Sequence, residues 1–247
     1  MDPKDRLIFP LDVPSKEEAK RFIELLRDKV GLFKVGLELF MAEGPSFLKF
    51  MADEAGVEYF LDLKFHDIPA TVLRAQAQIM KGARLATVHV DQGSRHLKAN
   101  IDRWKNGVKI LGVTVLTHLG PEDLEAMGFA PEYARDPSRL VLLRAKLAKE
   151  AGCDGVVCAG SEARAVKEQF GPDFLVVCPA IRPAWALVPG DDQRRITTPT
   201  EAIKAGADYI VVGRPIRLAT DPREAADRVV EEIRLALENP GEPASEA

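Results

Sequence analysis

The stretch YFLDLKFHDIPAT, residues 59–71, joins an apolar strand pattern to a cluster of charges. The run from Tyr59 to Leu63 is typical of a strand covered on both faces, as the strands of parallel sheets are. Asp62 interrupts this run, and Lys64 and Asp67 follow at intervals of two and three residues. Because charges beside an apolar strand are costly unless they are paired, the stretch predicts a site at the end of a buried parallel strand.

Short apolar runs of this kind recur along the chain and alternate with longer amphipathic stretches. The predicted strands are Leu7–Leu11, Leu32–Val35, Tyr59–Leu63, Leu85–Val90, Lys109–Val115, Gly155–Cys158, Leu175–Cys178 and Tyr209–Val212. The predicted helices are Lys16–Lys29, Ala70–Lys81, Arg139–Ala151, Ser161–Phe170, Thr200–Ala205 and Arg223–Leu237. Since parallel strands need a crossover between them, this alternation predicts an α/β fold, a single-domain (β/α)8 TIM barrel.

The barrel is expected to occupy residues 1–238, and residues 239–247 are expected to form a flexible tail, because they are rich in Pro, Gly, Ser and Glu. A doubly wound open sheet is the alternative architecture. It is disfavoured because no G-x-G-x-x-G follows the first strand.

Composition narrows the classes of partner. The chain has 247 residues and a net charge of −4, which favours neither nucleic acid nor an anionic membrane as a partner. No apolar stretch approaches the roughly 18 residues of a membrane span, and the charged start does not resemble a secretory signal. Three cysteines without a CxxC pair are typical of a reducing compartment. We therefore expect a cytoplasmic protein that binds neither nucleic acid nor membrane.

Charged residues follow or end the first three predicted strands, where barrel enzymes carry their sites. They are Asp12, Lys34, Asp62, Lys64 and Asp67. Asp62 and Lys64 are two residues apart, so in a strand their side chains share a face. A lysine flanked by carboxylates stays charged, which makes it a proton donor rather than a nucleophile. The row predicts proton delivery to a developing carbanion, and a purely structural ion-pair network is the alternative.

A second pattern, Val211-Val212-Gly213-Arg214-Pro215-Ile216, follows the last predicted strand. Barrel enzymes frequently bind phosphate after strands seven and eight, and an arginine grips phosphate oxygens with two N–H groups. The long loop 179–199 adds Arg182 and Gln193 to this end of the barrel. These residues predict a phosphate site, although the Gly-Arg pair alone fits an ordinary tight turn almost as well. The four histidines lack the spacing of a metal site, so no metal is expected.

At these motifs the chain resembles the orotidine 5′-phosphate decarboxylase family over nearly its whole length. The matching strings are Leu11-Asp12-Val13, Lys34-Val35-Gly36, Asp62-x-Lys64-x-x-Asp67-Ile68-Pro69-x-Thr71, Thr114-Val115-Leu116-Thr117, Ile181-Arg182-Pro183, Asp192-Gln193-Arg194-Arg195 and Val212-Gly213-Arg214-Pro215-Ile216. The third string is highly specific. Two features depart from the family: Ala180 replaces its usual glycine, and the stretch from Arg182 to Gln193 is slightly longer.

The resemblance implies a homodimer of TIM barrels that decarboxylates orotidine 5′-monophosphate (OMP) to UMP and CO2 in de novo pyrimidine synthesis, with neither metal nor organic cofactor. It implies that Lys64 protonates C6 of the pyrimidine and that Asp62 lies against the departing carboxylate. Asp67, with Ile68 and Thr71, would reach into the partner's site. Asp12 and Lys34 would hold the ribose hydroxyls, with Lys34 completing the catalytic charge row. The remaining substrate contacts would be Thr117 on the pyrimidine and Arg182, Gln193, Gly213 and Arg214 on the phosphate.

Two other functions stay open at this level. One is a magnesium-dependent enzyme with the same D-x-K-x-x-D row, either a sugar-phosphate decarboxylase or an aldol-type synthase. The continuation Ile68-Pro69-x-Thr71 disfavours it. The other is a binding module that keeps the barrel but has lost catalysis, which would not need alternating buried acids and lysines.

Overall fold

Eight parallel strands close into a barrel in the computed structural model, which describes residues 1–78, 82–101, 107–186 and 195–240. The strands pair in chain order, and β8 pairs with β1 to complete the ring. Their bounds are β1 Leu7–Pro10, β2 Leu32–Val35, β3 Tyr59–Phe65, β4 Ala83–His89, β5 Lys109–Val113, β6 Gly155–Val157, β7 Leu175–Cys178 and β8 Tyr209–Val211. The predicted TIM barrel is confirmed, and the open sheet is excluded.

Helices connect the strands and cover the outside of the barrel. They are α1 Lys16–Leu26, α2 Leu37–Glu43, α3 Pro45–Lys49, α4 Pro69–Gln76, α5 Ser94–Ile101, α6 Pro121–Ala126, α7 Pro131–Ala134, α8 Pro137–Ala151, α9 Gly160–Phe170, α10 Pro199–Lys204, α11 Arg214–Arg217 and α12 Pro222–Glu238. Several begin at a side-chain cap, as α10 does where the Thr198 hydroxyl accepts a hydrogen bond from the backbone N–H of Glu201. Such caps fix where these helices begin.

Most of the predicted strands and helices are present, but several of their predicted ends were wrong. Helix α1 ends at Leu26 rather than Lys29, and α4 ends at Gln76, while its predicted end at Lys81 lies outside the described residues. Strand β5 ends two residues before the predicted Val115, and β3 continues two residues beyond Leu63. The extension of β3 matters most for function because it places Lys64 inside the strand.

Two apolar clusters hold the barrel together. The inner cluster fills the barrel with one side chain from most strands, and its buried members are Ile8, Leu32, Phe60, Leu85, Leu111, Val177 and Val211. The larger cluster packs the outer faces of the strands against the helices. A barrel filled in this way is solid below its rim, so a ligand can enter only at an end.

The end of the chain is described as far as residue 240. Helix α12 ends at Glu238, so the predicted domain boundary falls at a helix end, but the domain division and the flexible tail stay predictions. Within the described part of the chain, no helix is both long enough and apolar enough to cross a membrane.

Candidate active site

A row of alternating charges lies at the carboxyl ends of the first three strands. The Nζ atom of Lys34, on β2, lies 3.0 Å from Oδ1 of Asp12 and 3.7 Å from Oδ2 of Asp62. The Nζ atom of Lys64 lies 2.9 Å from both carboxylate oxygens of Asp62. Gly36 leaves room for this row, since a Cβ atom there would lie 2.9 Å from Lys34 Nζ. Four of the five predicted charges, all but Asp67, therefore form one continuous chain of ion pairs.

The backbone of Lys64 is unusual, because its φ angle of 50° lies in the left-handed region that non-glycine residues rarely adopt. The pairing of β3 with β4 shifts register between Leu61 and Phe65, so Lys64 sits in an irregular part of the strand. The predicted contact between Asp62 and Lys64 is present, but regular strand alternation is not the reason for it.

A buried threonine on β4 holds this irregular segment. The Thr87 hydroxyl accepts a hydrogen bond from the backbone N–H of Lys64 at 2.9 Å and donates one to Asp62 Oδ1 at 3.1 Å. Its side chain is fully buried. One hydroxyl thus fixes both the backbone of the lysine and the carboxylate that the lysine contacts.

In this row the neighbouring opposite charges affect the pKa values more than burial does. Burial alone would raise the pKa of Asp62, but the Lys64 and Lys34 ammoniums outweigh it and the pKa lies below its usual value. Burial likewise would lower the pKa of Lys34, but Asp62 and Asp12 outweigh it and the pKa is raised. Both groups are therefore charged at neutral pH, with the charges held by their neighbours rather than by water.

A cavity of about 450 Å³ opens over the charge row and extends across the barrel mouth. Of the predicted site residues, eight line it: Asp12, Lys34, Asp62, Lys64, Thr117, Arg182, Gly213 and Arg214. The carboxyl ends of six strands or the loops after them supply these residues. Their convergence on one cavity agrees with a single ligand site, and their individual roles stay predictions.

Arginines gather at the end of the cavity that faces β7 and β8. Arg182 follows β7 and is 5% exposed, and Arg214 begins α11 directly after Gly213. A Cβ atom at Gly213 would lie 2.9 Å from Cγ of Pro10, so a side chain at this turn would press on β1. Gln193, the fourth predicted phosphate ligand, lies outside the described residues. The guanidinium groups at this end of the cavity are suited to bind an anionic group.

The second half of the D-x-K-x-x-D-I-P-x-T string lies apart from the cavity. Asp67, Ile68 and Thr71 do not line it. Asp67 is exposed and its Oδ1 accepts a hydrogen bond from the backbone N–H of Ile68 at 2.6 Å. Ile68 is 66% exposed, a large value for an isoleucine, and Thr71 is half-buried on α4. The string therefore divides into two parts. We call Asp62 and Lys64 its cavity half, and Asp67, Ile68 and Thr71 its surface half.

Three residues near the site were missed from the sequence. Thr87 was hidden in an apolar strand, where a lone threonine was its only signal. His118 and Arg217 also line the cavity. Arg217 could have been found because it lies three residues after Arg214, which places both on one side of a helical turn. His118 follows Thr117 directly and offered no separate signal.

A further polar cluster lies beside the surface half. Asp91 Oδ1 lies 3.7 Å from His66 Nε2 and 3.5 Å from His89 Nδ1, and its Oδ2 accepts a hydrogen bond from Arg144 at 3.0 Å. The adjacent His89 imidazole, with Arg144 nearby, lowers the pKa of Asp91 to about 2. Gln92 donates to the carbonyl oxygen of Phe65 at 2.8 Å. These contacts tie the end of β3 to the segment after β4.

The residues described hold no group of three or more His, Cys, Asp or Glu side chains arranged to bind a metal ion. The acids of the charge row lie against ammoniums instead. The chemistry that this row can supply is therefore acid–base and electrostatic.

Fold and cavity define the class: a (β/α)8-barrel protein whose site lies at the carboxyl ends of its strands. Comparisons with known proteins identify the family within this class. Residues 5–229 match the model of the orotidine 5′-phosphate decarboxylase / HUMPS family. A protein of Desulfosudis oleivorans named orotidine 5′-phosphate decarboxylase is 48% identical over 238 residues, which cover 95% of each chain. A protein of the same name from Gloeothece citriformis is 44% identical, covering 93% of this chain and 97% of the relative.

Solved structures agree with this match. The crystal structure of orotidine 5′-phosphate decarboxylase from Lactobacillus acidophilus superimposes with a TM-score of 0.78 at 35% identity, covering 92% of this chain and 98% of that chain. The chain belongs to the orotidine 5′-phosphate decarboxylase / HUMPS family.

Proposed function

We propose that this protein is a carboxy-lyase that converts orotidine 5′-monophosphate to UMP and CO2 in de novo pyrimidine synthesis. The observation that carries the proposal is the contact of Lys64 Nζ with both oxygens of Asp62, 2.9 Å each, inside a cavity with arginines at its other end. The names of relatives that match nearly the whole chain supply the substrate.

The two ends of the cavity fit the two ends of this substrate. Arg182 and Arg214, with Gly213 and Gln193, take the 5′-phosphate, because guanidinium groups bind phosphate oxygens in pairs. Asp12 and Lys34 hold the ribose hydroxyls, and Thr117 contacts the edge of the pyrimidine. The phosphate lies far from the reacting carbon, so its binding energy can offset the cost of ordering the base against the charge row.

The chemical step is bond cleavage followed by protonation at one carbon. The bond between C6 and the carboxylate breaks, CO2 leaves, and the electron pair remains on C6. The ammonium of Lys64 stabilises this developing negative charge and then transfers a proton to C6, which gives UMP and a neutral lysine amine. The amine regains its proton from water. Asp62 lies against the departing carboxylate and keeps Lys64 in place through their two short contacts.

The surface half of the string fits a role in a second subunit. Asp67, Ile68 and Thr71 lie outside their own cavity, and an isoleucine that is 66% exposed is suited to contact with another chain. We propose that the protein is a cytoplasmic homodimer in which these residues complete the partner's site. The reaction as written needs neither a metal nor an organic cofactor.

The test is to incubate purified, EDTA-treated protein with OMP and to follow the loss of its absorbance and the release of CO2. The proposal predicts turnover that EDTA does not change. Turnover that returns only with added Mg²⁺ would point to the metal-dependent lyases. OMP bound unchanged, without CO2, would point to a binding module.

A further inference from the structure

A second charged pair lies buried outside the charge row. Arg195 and Glu162 form an ion pair in which the side chains are 16% and 5% exposed. Glu162 belongs to α9, and Arg195 lies near the end of the loop between β7 and α10. Burial raises the pKa of Glu162, and Arg195 counteracts part of that rise. No step of the proposed reaction uses either residue.

The pair links the loops that follow three neighbouring strands. Arg195 donates hydrogen bonds to the carbonyl oxygens of Val115 and Leu116, after β5, at 2.9 and 3.0 Å. The second carboxylate oxygen of Glu162 accepts a hydrogen bond from the backbone N–H of Ala159, after β6, at 2.7 Å. The guanidinium therefore connects the β7 loop to the ends of both β5 and β6.

The contacts on the β5 side reach the cavity directly. Val115 and Leu116 both line it, and Thr117 is the next residue in the chain. The two carbonyl groups that Arg195 holds are those of the two residues before Thr117, so they set the path of the backbone that presents its side chain. Strand β5 ends at Val113, which leaves this segment beyond the ladder of strand hydrogen bonds.

Stability alone is a poor reason for such a pair. Removing two charges from water is costly, and apolar residues of similar volume often serve a folded protein equally well. A planar guanidinium that joins one carboxylate to two carbonyl oxygens instead fixes a geometry. This points to a role in the shape of the cavity.

We propose that Arg195 is a positioning residue that sets recognition of the pyrimidine by holding residues 115–117, and that Glu162 orients Arg195. The inference rests on the proposed contact of Thr117 with the pyrimidine. Arg195 touches neither the base nor the phosphate in this scheme and acts through Thr117.

The test compares two competitive inhibitors, UMP, which carries the base, and ribose 5-phosphate, which lacks it. In Arg195→Lys the charge opposite Glu162 remains but the planar fork is lost. We expect its inhibition constant for UMP to rise about tenfold, the value of one well-made hydrogen bond, while that for ribose 5-phosphate changes less than about twofold. Arg164→Lys is the matched control, because Arg164 is an exposed arginine on α9, the helix that carries Glu162, and also donates to a carbonyl group. It should change neither constant.

A double-mutant cycle tests the route through Thr117. Thr117→Ala alone should weaken UMP binding, and adding it to Arg195→Lys should cost less than the sum of the two single effects, since residues that act as a unit are not additive. Additive effects, or equal losses for UMP and ribose 5-phosphate, would overturn the inference. Normal UMP binding by Thr117→Ala would overturn it together with the role of Thr117, whereas the proposed decarboxylation is tested separately by turnover of the unmodified protein.

Discussion

The two halves of one ten-residue string, residues 62–71, lie in opposite environments. Asp62 and Lys64 are buried or half-buried at the cavity and are held by each other, by Lys34 and by Thr87. Asp67 and Ile68 are exposed, and the hydrogen bond described for the Asp67 carboxylate is to the next backbone N–H. The first half has its contacts within one chain, and the proposed role of the second half lies in a second chain.

This difference shows that proximity in sequence does not assign residues to one site. The backbone turns after Phe65, and Pro69 begins α4, so the chain leaves the barrel mouth within a few residues. A charge in the cavity half is costly unless it is paired, as Asp62 and Lys64 are with each other. A charge in the surface half costs little, and in the proposed dimer its function depends on the site of the second chain.

The largest effect on activity is expected in the cavity half of the string. Lys64→Ala removes the proposed proton donor and the positive charge beside C6, so turnover of OMP should fall by about 10³-fold or more. The change is measured as kcat by the loss of OMP absorbance. Lys49→Ala, at an exposed lysine of α3, is the control and should leave turnover unchanged. Near-normal turnover by Lys64→Ala would remove the central assignment.

A smaller but clear effect on activity is expected in the surface half of the string. Asp67→Asn keeps the size of the side chain and removes its charge, and we expect a loss of about 10²-fold in kcat/KM, as for the loss of one preorganised electrostatic group. Thermal unfolding should hardly change, because the carboxylate is exposed. Asp53→Asn, at another exposed aspartate, is the control. Full activity of Asp67→Asn would mean that the exposed half has no catalytic role.

The smallest effect is on stability. It concerns the polar cluster around Asp91, which lies beside the surface half of the string. The pKa of Asp91 is about 2, below its ordinary value, so its charge stabilises the fold above about pH 4, and this contribution is lost as the pH falls toward 2. Because Asp91 is 40% exposed, screening reduces the contribution to about 1 kcal/mol.

Urea unfolding of Asp91→Asn at several pH values checks this. The variant should be less stable than the unmodified protein at pH 7, and the difference should vanish near pH 2. A difference that grows as the pH falls would contradict the sign.

Much of the fold followed from the sequence because strands buried on both faces leave apolar runs. The ends were less predictable. Lys64 lies inside β3 because hydrogen bonding to Thr87 and a register shift continue the strand past Leu63. No local sequence pattern predicts such an irregularity. The helix ends likewise depend on contacts with neighbouring elements.

The site was predictable where charge stood out against an apolar background, as at Asp62 and Lys64. It was not predictable where the signal was weak or distant. Arg195 is 33 residues from Glu162 and nearly 80 from the carbonyl groups that it holds, and a sequence that contains many arginines does not single it out. The substrate came from the family resemblance rather than from the charges.

The most direct test of the division between the two halves mixes two inactive chains. Lys64→Ala and Asp67→Asn proteins are unfolded together, refolded in equal amounts and assayed with OMP. If Asp67 serves the partner's cavity, each mixed dimer holds one site with both residues intact, and random pairing should restore roughly a quarter of the unmodified activity. If both residues serve the same cavity, no dimer holds an intact site, and activity no higher than the average of the two parents would contradict the division.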